Sequence, residues 1–164
     1  MKALVVYYSF TGKTELVARA IAQTLNADIR KIEEVKKRRK PFVFLTGGYE
    51  AIRGKRSEIK EMDFNLDCDL VFLGTPVWAG RPTPAVNAFV SKADFRNKKV
   101  VLFFTMLGIS GKATKILTDA IESKGGKVID SFTIKTAGIE AEKIIERGNE
   151  IGRKYKEQYF GESS

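Results

Sequence analysis

Five short apolar segments rich in β-branched residues recur along the chain: Ala3 to Tyr8, Asp28 to Ile32, Leu70 to Gly74, Val100 to Thr105, and Val128 to Lys135. They read as strands. Stretches with helical spacing lie between them, at Thr14 to Leu25, Pro84 to Val90, Lys112 to Lys124 and Glu140 to Tyr159. The first places Val17, Ala20, Ile21, Thr24 and Leu25 on one stripe, and the last does the same with Ile144, Ile145, Ile151 and Tyr155. Each therefore has a face to lay on a sheet. The first, third and fourth strands are nearly unbroken hydrophobic runs, as strands covered on both sides require, so the sheet is predicted to be mostly parallel. The second crossover is less regular. A basic run ends at Pro41 and is followed by Phe42-Val43-Phe44-Leu45 and Gly47-Gly48-Tyr49-Glu50-Ala51-Ile52, which predicts a short, interrupted helix. The expected architecture is an α/β three-layer sandwich around a five-stranded sheet.

A chain of 164 residues is long enough for one such domain, covering residues 1–164. No internal repeat, low-complexity tract or linker interrupts it, and only Gly161-Glu162-Ser163-Ser164 reads as a polar tail. No apolar run approaches the ~20 residues of a membrane span, and the amino terminus lacks the pattern of a secretory signal, so a cytoplasmic protein is expected. The single cysteine, Cys68, rules out an intrachain disulfide and sits beside the apolar run Leu70 to Leu73, where it reads as a structural thiol. Histidine is absent altogether. Imidazole base catalysis, serine–histidine pairs and ordinary zinc sites lose their usual group.

The formal charge is +9, much of it in Lys36-Lys37-Arg38-Arg39-Lys40 and Arg53-Gly54-Lys55-Arg56. These runs carry none of the interleaved aromatic residues of a base-stacking platform. A solvated face or an acidic docking partner fits them better than nucleic acid does. The abundance of Lys, Glu and Arg also suits a thermophile.

In a doubly wound sheet the loops after the strands gather at one edge, where strand order reverses and ligands bind. Three such loops hold the unusual residues. Ser9-Phe10-Thr11-Gly12-Lys13-Thr14 offers three hydroxyls and several amides where a helix begins, a setting that favours an anion such as phosphate. Helix capping alone accounts for one of the hydroxyls. A triphosphate loop would need glycine five residues before Gly12, where Tyr7 stands, and strand three ends Leu73-Gly74-Thr75 with no aspartate for magnesium. The glycine fingerprint of a dinucleotide fold is missing, and a phosphorylated receiver would need acids where Tyr7, Tyr8 and Gly74 lie.

The run Tyr8 to Thr14 resembles the phosphate loop of the flavodoxin-like family, in which serine or threonine, any residue, threonine, glycine, any residue, threonine holds FMN. The resemblance implies a short-chain member with parallel strand order 2-1-3-4-5. It gives Ser9, Thr11 and Thr14, with the amides of Phe10, Thr11, Gly12 and Lys13, to the FMN phosphate. Lys13 replaces the common asparagine, and either faces the phosphate or points to solvent. The second loop, Gly74-Thr75-Pro76-Val77-Trp78-Ala79-Gly80-Arg81-Pro82-Thr83-Pro84, is similar to the ring-binding loop of a subgroup of the family. A proline- and glycine-punctuated loop presents a stacking wall and backbone polar groups rigidly. Trp78, the only tryptophan, is the wall; Thr75, Pro76, Val77, Ala79 and Gly80 complete the loop.

In the third loop, Thr105-Met106-Leu107-Gly108-Ile109-Ser110-Gly111, the resemblance puts Met106, Leu107, Gly108 and Gly111 at the ring edge. No aromatic residue is present there, and Leu107 or Ile109 offers only aliphatic contact. This leaves one ring face open to a substrate or simply less covered. The Gly80 or Gly108 peptide is a candidate to present a carbonyl to the reduced ring. The function implied is an FMN-dependent electron carrier with acidic redox partners. The alternative is an FMN-dependent NAD(P)H oxidoreductase acting on a quinone or similar acceptor. A third class, FMN-independent binding of RNA or protein, rests on the basic cluster alone. No catalytic acid or base stands out.

Overall fold

The computed structural model describes residues 1–38, 43–108 and 111–161, with backbone only for 43–46. Five strands run parallel: β1 (Ala3–Tyr7), β2 (Asp28–Lys31), β3 (Leu70–Trp78), β5 (Lys99–Met106) and β6 (Lys127–Lys135), in the order β2-β1-β3-β5-β6. This is the expected 2-1-3-4-5 order of the parallel strands. A sixth, two-residue strand β4 (Arg81–Pro82) folds back on the end of β3, pairing Val77 with Pro82 and Trp78 with Arg81.

Strand β3 is four residues longer than the sequence reading had it. Its ladder with β5 continues past Gly74 to Pro76 opposite Thr105, and the turn to β4 carries it on to Trp78. Thr75 to Trp78 are thus strand rather than loop. Proline at 76 is tolerated because the pairing ends there on that side.

Among the described residues four helices fill the crossovers, α1 (Lys13–Leu25), α2 (Val43–Ile52), α3 (Pro84–Lys92) and α4 (Ala113–Glu122), and α5 (Ala141–Phe160) follows β6. Helix α2 runs unbroken through Gly47 and Gly48, where an interruption was expected. Residues 39–42, 109–110 and 162–164 lie outside the described residues. With them lie part of the basic run (Arg39, Lys40), Pro41, Phe42, Ile109, Ser110 and most of the polar tail.

Alternation along the central strands builds two cores. Leu4, Val6, Val71, Leu73, Val100, Leu102 and Phe104 face α3 and α4, meeting Val86, Phe89, Leu117 and Ile121. Their neighbours Ala3, Val5, Leu70, Phe72, Val101 and Phe103 face α1 and α5, meeting Val17, Ile21, Ile144 and Tyr155. Each fully buried side chain of this size contributes roughly 1.5–3 kcal/mol. Helices α1 and α5 lie close because α5 presents Gly148 against Ala20 and Gly152 against Thr24. Cys68 is buried just before β3, and burial pushes its thiol up from its usual range, as expected of a structural cysteine. Among the described residues, no helix is long and apolar enough to cross a membrane.

Candidate functional site

The C-terminal ends of β1, β3, β5 and β6 surround a cavity of about 810 Å³. Phe10, Thr11 and Lys13 come to it from the first loop. Pro76, Val77, Trp78, Ala79 and Gly80 come from the end of β3 and its turn, and Met106, Leu107 and Gly108 from the third loop. Three motifs far apart in sequence therefore share one space. Gly48 of α2, Thr105 and Thr136 line it too, with no site role read for them from sequence. Thr136 follows the last residue of β6, so the strand-end rule that singled out the other loops could have found it.

The hydroxyls of the first loop divide their work. Ser9 Oγ accepts the amides of Gly12 (3.1 Å) and Glu15 (3.3 Å), which is a capping role. Thr14 is buried, and its Oγ1 shares a 2.7 Å hydrogen bond with Thr105 Oγ1, tying the start of α1 to the end of β5. Thr11 alone is exposed and on the cavity. The Thr11, Lys13 and Thr14 amides donate to no described residue, and Gly12, at φ +91°, turns the chain into the helix. Donors without internal partners at a helix start are what an anion recruits. Lys13 is half-buried and lines the cavity.

Thr75 does not reach the cavity. Its hydroxyl donates to Pro76 O at 2.9 Å, lies 3.1 Å from Thr83 Oγ1 and accepts the Thr83 amide at 3.3 Å, bracing the hairpin from behind. The hairpin turn is Ala79-Gly80, at φ +49° and +71°. Positive φ at both central residues is the demand of a two-residue turn matched to strand twist. Gly111, at φ +56°, presses its backbone on Gly80: a Cβ there would lie 2.5 Å from Gly80 Cα. The Lys112 amide donates to Gly80 O at 2.8 Å. Gly111 is thus behind the turn instead of on the cavity, and the Gly80 carbonyl is already taken. The Met106 carbonyl is likewise engaged, by the Thr136 amide at 2.9 Å. Leu107, 65% exposed, and Gly108 stand free at the rim.

Trp78 is held by edge-to-face contacts with Tyr8 and Phe10, each at 6.0 Å between ring centres. Helix α2 approaches so closely that a Cβ on Gly47 would fall 2.7 Å from the indole.

The fold has counterparts among solved structures. A flavoprotein from Lactobacillus acidophilus, solved in complex with FMN, is 24% identical with a TM-score of 0.68, covering 80% of this chain and 92% of its own. Oxidised flavodoxin 2 from Bacillus cereus is 18% identical with a TM-score of 0.63, covering 97% and 100%. The fold is flavodoxin-like. An azoreductase shares this flavodoxin-like fold at 14% identity and a TM-score of 0.61, covering 97% of this chain and 100% of its own. By sequence, an uncharacterized protein of Methanocaldococcus jannaschii is 28% identical over 138 residues, 82% of this chain and 75% of that protein. No family model matches the chain.

Proposed function

We propose that this chain is a single-domain, cytoplasmic, FMN-binding protein that shuttles electrons between redox partners. One observation carries the reading: an anion-ready helix start and a tryptophan-walled, largely apolar space open into the same cavity. The residues fit FMN, with amides lacking internal partners at one end and flat apolar walls at the other. FMN, when bound, supplies one- and two-electron redox chemistry.

The chain's own residues divide the holding of it. The Phe10, Thr11 and Lys13 amides, the Thr11 hydroxyl and the Lys13 ammonium would take the phosphate, while the Gly12 amide stays with Ser9 Oγ. Ser9 and Thr14 keep the loop in shape through the bonds described above. Trp78 walls the ring, with Pro76, Val77 and Ala79 beside it, and Leu107 and Gly108 meet its edge. Since the Gly80 carbonyl is tied to Lys112, the Gly108 peptide is the one left to offer a carbonyl to the ring. Exposed Lys36, Lys37, Arg53, Lys55 and Arg56 form the face for an acidic partner. Positive surroundings favour an anionic reduced flavin, so the second reduction potential is expected to be less negative than in an acidic flavodoxin.

The second reading, an FMN-dependent NAD(P)H oxidoreductase for a quinone or similar acceptor, is favoured by exposed Leu107, which leaves room over the ring. Titration of the purified protein with FMN, followed by anaerobic stepwise reduction, tests both readings. One-electron steps and no response to NAD(P)H support the carrier. Direct two-electron reduction by NAD(P)H supports the reductase. Failure to bind FMN sinks both, and salt-sensitive RNA binding without flavin would then favour the third class.

A further inference from the structure

The geometry points to Arg38 as a positioning residue that clamps Trp78 from behind, leaving one indole face for a flavin ring. This rests on the FMN reading above. The Arg38 guanidinium carbon sits 5.2 Å from the centre of the Trp78 ring, over its face. Arg38 borders a separate cleft of about 260 Å³ beside Tyr8 and Ser9, while Trp78 borders the large cavity. The cation covers one indole face and is not among the residues that line the large cavity.

What fixes Arg38 is a pair of carboxylates, one buried and one half-buried. Its Nε lies 3.0 Å from both Glu34 carboxylate oxygens, and its terminal nitrogen donates to Glu50 of α2 at 2.7 Å. Glu34 in turn accepts the buried Tyr8 hydroxyl at 2.7 Å. The Arg38 and Glu34 side chains are only 11% and 7% exposed. Burial works against the Arg38 charge, but bonds to Glu34 and Glu50 outweigh it and raise its pKa further. Burial, and then the bond to Glu34, push the Tyr8 phenol well above its usual range, so that it stays a donor.

One planar cation thus joins the segment after β2 to α2, reaches Tyr8 through Glu34, and makes its third contact with the indole. A guanidinium suits this task and an ammonium does not, because the fork reaches two carboxylates while its plane lies on a ring. Fixing a large aromatic side chain before a ligand arrives removes an ordering cost from binding.

Trp78 is the sole tryptophan, so its emission and near-ultraviolet circular dichroism report on this contact in the flavin-free protein. Arg38→Met and Arg38→Lys test the clamp; the lysine variant keeps a charge beside Glu34 in case the methionine variant fails to fold. Both signals are expected to change in either variant. FMN affinity is expected to weaken about three- to tenfold. Emission, dichroism and FMN affinity that stay at wild-type values in Arg38→Lys would overturn the clamp. Wild-type protein that takes no FMN would overturn the flavin reading and the role given to the free face. In that case the Trp78 signals alone still decide whether Arg38 holds the ring.

Discussion

Trp78 was legible in the sequence because it is unique and stands in a loop-like context; its neighbours were harder. The three hydroxyls of the first loop look alike as letters, yet Ser9 caps, Thr14 braces β5 and only Thr11 faces the cavity. Side-chain direction depends on the tertiary neighbour, here Thr105, which lies 91 positions from Thr14. Two predictions belong at this scale. Gly47→Ala places a Cβ within 2.7 Å of the indole, so Trp78 must move. Its emission should change and FMN binding should weaken, as fluorescence titration will show. Ala79 holds φ +49°, a conformation that costs an L-residue roughly 1–2 kcal/mol. Ala79→Gly removes that strain but adds roughly 0.4–1 kcal/mol of unfolded-state entropy. A net gain of about 0.5 kcal/mol in urea unfolding is expected.

At the scale of elements, the five parallel strands and four of the helices could be read from hydrophobic period, with ends off by a few residues. The exceptions have physical causes. Strand β4 is two residues long and contains a proline, too short to show any period. The extension of β3 depends on β5 offering ladder partners as far as Thr105, which no local pattern encodes. Helix α2 contains two adjacent glycines, a poor local signal, and it persists because it packs on Trp78 and Ala79. The meeting of hairpin turn and third loop is also tertiary. Gly111→Ala combines a clash of 2.5 Å with backbone at Gly80 and a positive φ. It should cost roughly 3 kcal/mol in chemical unfolding and weaken FMN binding, whereas Gly108→Ala, with open space around it, should leave stability nearly unchanged.

At the scale of the whole molecule, three buried phenols set the alkaline limit. Burial, and then the Glu15 charge, push Tyr7 from 10.0 up to about 12. Tyr8 and Tyr155 are raised further, by burial and then by their bonds to Glu34 and Asp130. A raised phenol pKa means the folded state keeps a proton that the unfolded chain has given up. The stability it contributes is whole below pH 10 and falls as pH climbs from 10 toward 12 and beyond. Urea midpoints should therefore drop steeply across that window, and Tyr7→Phe should flatten the drop.

The contact between Gly80 and Gly111 also decides which substitutions this site tolerates. The Lys112 amide holds the Gly80 carbonyl and the Gly111 backbone lies against it, so the hairpin turn is pinned by main chain. The Arg38 brace is of another kind, made by side chains reaching Glu34 and Glu50. Because the brace at Gly80 is backbone on backbone, side chains at the rim can be exchanged without undoing it.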